Sequence, residues 1–434
     1  MILEKKNLYS IDNANEKIEV NILKSCFKDM SKALLKNKYM LGKYQAVETG
    51  KGIKFCIKEV ERAALLLEYG IEFIENQGRK RKIEYGGFNG TYLSRNIRGK
   101  KILAISTFSS PYSSFIHKMM GAVLAGGIIY FKPSVKAYKC SIMLYKVLEK
   151  VMYKYNLHNV HLVVGIRNCD MKKILTKLNF DILLFTGKSE TAKEIKKLVP
   201  NRLGIYETGS NAMAYISEFY DCRKLRKKLC ELGFAQSGMR CIALKNLFVH
   251  RDSYKAVKDF LLEDIKCLKV GDPQDIDTDI GPIKDSYTLS GLYNYIKFLE
   301  TKGYDVLMGG RKEKEFLMPT LLEDKNLNKE TSIREIYGPI MIIHCVNSFK
   351  EIPIEYYKRS SLQSAIYSDN PEEVDSFIQW NKYCGNICIN YGPTLRIDSL
   401  PFGGLYDENE GCESLENIVR IASYEQLIIK EDED

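Results

Sequence analysis

Between residues 101 and 186, short apolar runs alternate with amphipathic stretches, and that rhythm leaves the chain few folds to choose from. Lys101–Ser106, Ile128–Phe131, Val160–Val164 and Ile182–Phe185 read as strands, and Ser113–Ala125 and Cys140–Lys154 between them read as helices. Helical crossovers between buried strands are the signature of parallel βαβ units. A second alternating region runs from about Leu247 to Ile389, with a boundary between the halves near Glu207 to Cys241. Ahead of the first strand, residues 14–80 read as amphipathic helices, for example Val20 to Leu35 and Ile57 to Asn76. Residues 81–100 read as a hairpin whose turn residues lie in Tyr85-Gly86-Gly87-Phe88-Asn89-Gly90.

With 434 residues, 45% of them hydrophobic, the chain can bury the cores of two or three domains. No run of about 18 uncharged apolar residues is present, so no membrane span is expected. The apolar start Met1-Ile2-Leu3 meets Glu4-Lys5-Lys6 at once, unlike the core of a secretory signal. Twelve cysteines without a framework spacing point to reduced thiols and a cytoplasmic location. The net charge of +10 comes from lysines interleaved with acids. It therefore reads as a solvated surface, with no nucleic acid and no membrane as partner. The basic cluster Arg79-Lys80-Arg81-Lys82 is short, and the acidic tail Glu431-Asp432-Glu433-Asp434 reads as a frayed terminus. Cys384 and Cys388 have no histidine near them, so no metal site is expected.

Three segments carry chemistry. Phe185-Thr186-Gly187-Lys188-Ser189-Glu190-Thr191-Ala192 follows a strand and opens a helix. Small residues there let a backbone approach a phosphate, and the helix start offers free N–H groups, although an ordinary strand–turn–helix connection has the same pattern. Tyr206-Glu207-Thr208-Gly209-Ser210 comes next, and Ser237-Gly238-Met239-Arg240-Cys241-Ile242-Ala243 places a cysteine 34 positions after Glu207.

These segments resemble motifs of the aldehyde dehydrogenase superfamily, written F-T-G-S-T-E-V-G, E-L-G-G and G-Q-x-C-x-A, and the separation of 34 agrees with the family. Lys132-Pro133-Ser134 resembles K-P-S-E, and Gly271-Asp272-Pro273 with Gly281-Pro282 resembles G-D-P…G-P. Arg334-Glu335-Ile336-Tyr337-Gly338-Pro339 is similar to E-E-x-F-G-P, and Asn390 with Pro401-Phe402-Gly403-Gly404 to N…P-F-G-G. The seven motifs stand in the family's order over roughly residues 95–430.

The resemblance implies an α/β fold in three parts. A Rossmann-like cofactor domain would hold residues 1–208 without the hairpin 85–100, and a catalytic α/β domain 209–394. A small β oligomerisation element would join 85–100 to 395–434. It implies oxidation of a small-molecule aldehyde to a carboxylic acid with NAD or NADP, in a homodimer or homotetramer. Cys241 would attack the aldehyde carbon to give a thiohemiacetal and then a thioester, with Glu207 as general base. Cofactor contacts would come from Lys132, Ser134 and Val135, from Thr186, Gly187, Lys188 and Ser189, from Thr208 and Gly209, and from Glu335 and Tyr337. Phe402 would shape the catalytic loop. Retention of Glu207 favours hydrolysis over the alternatives, a coenzyme A- or carrier-thioester reductase or a non-catalytic relative.

The sequence also departs from the family pattern. Ser109 stands where the family's P-W-N-F-P carries the asparagine that donates to the oxyanion, which implies a shorter, weaker donor. Val135 replaces the acid after K-P-S, which removes a repulsion toward a 2′-phosphate. Tyr337 replaces a phenylalanine, and Ser210 the second glycine after Glu207.

Overall fold

The computed structural model describes residues 2–4, 19–76, 81–85, 88–330, 334–405 and 409–431. The turn glycines Gly86 and Gly87, the basic residues Arg79 and Lys80, residues 14–18 of the expected helical region and the tail residues Asp432 to Asp434 lie outside the described residues.

Among the described residues the strands form two seven-stranded sheets, a three-stranded one and the two-stranded pair Lys312–Glu313 with Phe316–Leu317. The first sheet runs Ile2–Glu4, Val160–Val164, Ile128–Lys132, Lys101–Ile105, Ile182–Thr186, Leu203–Glu207 and Asn409–Glu410. It is parallel except for Asn409–Glu410. Its inner strands Ile128–Lys132 and Val160–Val164 are buried along their whole length because both faces are covered. Ile102, Ala104 and Phe131 face one core, which takes in the N-terminal helices, while Leu103, Ile105 and Tyr130 face another. The second sheet runs Asp305–Met308, Thr320–Asp324, Ile340–Val346, Leu244–His250, Ala212–Ile216, Gln363–Tyr367 and Asn386–Ile389, parallel except for its first strand. Phe88–Gly99 pairs antiparallel with both Arg81–Tyr85 and Ser423–Glu431 in the third sheet.

Most sequence-derived elements fall within a few residues of their expected bounds. A further helix of the 14–80 region is Lys38–Thr49. It exposes Tyr39, Tyr44 and Val47, so its apolar residues form no single stripe, and Gly50 ends it at φ 79°. The segment 395–434 does not stay together as a partner of the hairpin. Ser423–Glu431 pairs with Phe88–Gly99, whereas Asn409–Glu410 joins the first sheet beside Leu203–Glu207. The helix Leu415–Ala422 buries Leu415, Ile418, Val419 and Ala422 in the first core. Its apolar stripe outweighs proximity in sequence to the tail strand.

Candidate active site

Lys132, Thr186 and Glu207 are the last residues of three parallel strands in the first sheet, so their side chains gather at one sheet edge. A cleft of about 1680 Å³ opens there and is also lined by Ser134, Val135, Gly187, Lys188, Ser189, Thr208, Gly209, Ser109, Cys241, Glu335, Tyr337 and Phe402. The structure thus brings every sequence-derived site residue to a single cleft. The two Pro111–Leu124 residues that matter most here, His117 and Lys118, lie on a helix opened by proline at its first position, where no amide donor is lost.

Cys241 follows an irregular loop. Gln236, Ser237 and Gly238 all have left-handed backbone, with φ of 59°, 57° and 64°. Two of the three carry side chains, so the loop stores strain that its surroundings must hold. Ser237 Oγ accepts from the Gly281 N–H at 3.0 Å. Lys245 Nζ donates to the Gly238 carbonyl at 2.9 Å and to the Gly338 carbonyl at 2.6 Å. A β-carbon on Gly238 would lie 2.2 Å from the Gly338 oxygen, so only glycine fits. The Cys241 thiol is partly exposed to the cleft but packs against Ile242, Leu362 and Phe402. Burial, then the charge of Glu207, pushes it up to about 12, against the pull of Arg396 and Arg240. The nucleophile candidate therefore rests as a thiol and needs a base.

Glu207 is buried and sits beside a second buried carboxylate, Glu413. Glu413 accepts from Lys118 Nζ at 3.2 Å, and His117 Nδ1 lies 3.1 Å from it. Burial alone would raise Glu413, but Lys118, His117 and the hydrogen bond from Glu207 outweigh it and hold the carboxyl well below its usual range. Burial and the Glu413 charge then raise Glu207 to about 8. The two acids share one proton, and Glu207 carries it. Gly121 makes the cluster possible. A β-carbon there would meet Ile418 at 2.3 Å, and the close helix contact brings the segment carrying Glu413 onto Lys118. Lys118 also donates to Thr186 Oγ1 at 2.7 Å.

Around the thiol lie three arginines. Arg62 makes a two-pronged pair with Asp398, and Arg396 reaches both Asp398 at 3.4 Å and Glu207 at 3.6 Å. Arg396 also lies over the Phe402 ring at 4.1 Å. Arg240 donates to the Thr394 carbonyl at 3.1 Å and has no ion pair among the described residues. Burial lowers its pKa, as expected of a cation short of a counter-charge.

The rest of the cleft fits a dinucleotide. Lys132 is buried, burial lowers its pKa, and it has no hydrogen-bond partner among the described residues. Such a donor is available to ribose hydroxyls. A β-carbon at Gly209 would meet the Glu335 carboxylate at 2.0 Å, so the two motifs close on each other only because Gly209 lacks one. Burial raises Glu335 to about 7, against Arg359, Lys245 and Lys188. Val135 is 44% exposed at the rim, and Ser134 Oγ caps its short turn. Lys188 precedes the helix Ser189–Leu198, as the motif implied.

The architecture is α/β, with one large cleft at the carboxyl ends of the parallel strands of the first sheet. The chain belongs to the aldehyde dehydrogenase family, whose model matches residues 15–421. It acts on aldehydes with NAD or NADP. It is 28% identical to the sulfoacetaldehyde dehydrogenase of Neptuniibacter caesariensis over 76% of this chain and 71% of that one. It is 27% identical to the lactaldehyde dehydrogenase of Methanococcus aeolicus over 97% and 89%. The NADP-bound crystal structure of glyceraldehyde-3-phosphate dehydrogenase from Methanocaldococcus jannaschii superposes with a TM-score of 0.88 over 96% and 91% at 24% identity. No described helix is long and apolar enough to cross a membrane.

Sequence reasoning missed His117, Lys118, Glu413, Lys245 and the arginines Arg62 and Arg396. None stands in a quoted motif, and the Lys118–Glu413 and Arg62–Asp398 pairs join residues about 300 positions apart, so spacing carries no trace of them. Arg240 was visible, one position before Cys241, but as an unspecified position of the motif.

Proposed function

We propose that this enzyme oxidises an aldehyde carrying an anionic group to its carboxylic acid, with Cys241 as nucleophile and Glu207 as base. The observation that carries the reading is Arg240, half-buried in the cleft next to Cys241 in sequence and without an ion pair among the described residues. A planar guanidinium already short of counter-charge suits a substrate carboxylate, sulfonate or phosphate. The sulfoacetaldehyde relative supports the same class.

Once it has lost its own proton, as it does above about pH 8, Glu207 takes the thiol proton as sulfur attacks the aldehyde carbon, and the carbonyl electron pair moves to oxygen. The proton stays on Glu207, hydrogen-bonded to ionised Glu413 whose charge Lys118 balances, and passes to water before Glu207 serves again as base. When bound, the oxidised nicotinamide supplies the electron acceptor. Lys132, Glu335 and Gly209 would hold it, and Thr186, Gly187, Lys188 and Ser189 would take its phosphates. Glu207 then directs water at the thioester. Val135 offers no carboxylate at the rim, which supports use of NADP beside NAD. Ser423–Glu431 exposes Leu427 and Ile429, by 58% and 61%, at the edge of the third sheet. That favours a homodimer or homotetramer joined there. Twelve unpaired cysteines fit a cytoplasmic enzyme.

The test is a panel of aldehydes matched in length, with and without a terminal carboxylate or sulfonate. Anionic members should have at least about tenfold higher kcat/KM, roughly 1.4 kcal/mol, and Arg240→Met should remove that preference. Equal use of neutral and anionic aldehydes would refute the substrate class.

A further inference from the structure

Gly271-Asp272-Pro273 and Gly281-Pro282 take no part in lining the cleft. They seat a strap instead, residues 50–53, which joins the helices Lys38–Thr49 and Ile53–Asn76. The Ile53 N–H donates to the Pro273 carbonyl at 2.7 Å. A β-carbon on Gly50 would lie 2.1 Å from the Pro282 oxygen, and one on Gly281 would lie 1.9 Å from the Gly50 oxygen. The two backbones touch there because neither glycine has a side chain. Beyond the strap, the Gly281 N–H donates to Ser237 Oγ at 3.0 Å, in the loop that leads to Cys241.

Lys51 lies in the middle of this strap and is buried. Its ammonium donates to the Ser109 carbonyl and to Glu59 Oε2, the latter at 2.8 Å. Glu59, also buried, accepts from Gln45 Nε2 at 2.6 Å and, through Oε1, from the Tyr112 N–H at 3.0 Å. The helix Pro111–Leu124 begins after Ser110, whose side chain makes no capping hydrogen bond. Glu59 caps that helix from outside, where the aligned amides favour a negative charge. The Lys51–Glu59 pair thus holds the turn Ser109-Ser110-Pro111-Tyr112 at both ends, one by a carbonyl and the other by an amide.

A pair this deeply buried adds little net stability, because desolvating two charges offsets their attraction. It does fix direction, since an ammonium with two of its three donors engaged has few arrangements left. Ser109 stands on the held turn and lines the cleft with Cys241. Lys51, Gly50, Gly281 and Ser237 form a short line of contacts from the Ser109 wall of the cleft to the Cys241 wall.

We propose that Lys51 is a positioning residue for aldehyde oxidation. It pins the Ser109 turn to the strap that Gly281 joins to the nucleophile loop, and so sets the spacing of Ser109 and Cys241 across the cleft. The proposal rests on Cys241 being the nucleophile.

The test is Lys51→Met/Glu59→Gln, which removes both charges together and leaves neither buried without its partner. The glutamine keeps an acceptor for the Tyr112 N–H. Since a displacement of about 1 Å costs about 10²-fold, kcat and kcat/KM should fall together by that factor, with cofactor Kd and Tm unchanged. Alkylation of free Cys241 by iodoacetamide should keep its wild-type rate. Protection from it by aldehyde, which reports thiohemiacetal formation without cofactor, should weaken at least about tenfold. Lys54→Met cuts the partly exposed pair with Asp279 but leaves Ser109 held, and should stay within about threefold of wild type. An equal loss there would place the effect in the strap at large and refute the pin. If the double variant does not fold, Lys51→Gln replaces it. Its amide is too short to hold Glu59 and the Ser109 carbonyl together, and kcat should fall about tenfold. A folded variant with kcat within about threefold of wild type, or a loss that follows Tm while aldehyde protection is unchanged, would overturn the role of Lys51. An active Cys241→Ala would overturn the nucleophile assignment instead.

Discussion

The two walls of the cleft place their chemistry by different means. On the first-sheet side, Lys132, Thr186 and Glu207 end regular strands whose ladders fix them. On the second-sheet side, Cys241 follows three left-handed residues held by Ser237 and Lys245. A strand end receives its direction from many backbone hydrogen bonds, so a change of side chain there alters chemistry and leaves geometry alone. The loop depends on a few polar pins, so a change in a pin moves the nucleophile without touching it.

Replacing a pin should therefore cost more than replacing a ligand. Lys245→Met leaves the buried Gly238 carbonyl without its donor, at about 1–3 kcal/mol, and the Gly338 carbonyl with the Ile340 N–H alone. It should lower Tm and reduce kcat by on the order of 10²-fold, because a nucleophile misplaced by about 1 Å loses that much. Unchanged kcat and Tm, measured by steady-state kinetics and calorimetry, would show that the loop holds itself. Lys132→Met should do the reverse. It removes a desolvated ammonium that lacks a partner, so Tm should hold or rise, while cofactor Kd weakens about tenfold. A fall in Tm would mean that Lys132 supports the fold and is not a waiting ligand.

The smallest effect is electrostatic. Glu207 sits at about 8, so the base-dependent rate should rise with pH and level off above about 8. The Glu413 charge is one reason that value is high, and Lys118 opposes it. Glu413→Gln removes the repulsion and leaves the cation, so Glu207 should lose its proton more easily. The rising limb of kcat/KM should then move to lower pH. A limb that stays in place or moves up would mean that the pair does not share its proton as described.

The same contrast explains what the sequence could reveal. Lys101–Ile105, Val160–Val164 and Ile182–Thr186 were legible because two-sided burial forces an unbroken apolar run. Cys241, Glu207 and Glu335 were legible because each stands in a short local motif. The Lys118–His117–Glu413 cluster was not, since Glu413 reaches it through a helix contact at Gly121 that no local pattern records. Ser109 and Tyr337 each read as a loss or a tolerated change, and both line the cleft with Cys241.

The central claim is that Cys241 carries the acyl group and Glu207 releases it. Glu207→Gln, mixed with aldehyde and oxidised cofactor and quenched in acid, tests both at once by peptide mass spectrometry. The account predicts one burst of reduced cofactor, little turnover, and the acyl mass on the peptide containing Cys241. An unmodified Cys241 with continuing turnover, or an acyl group on another cysteine, would contradict it.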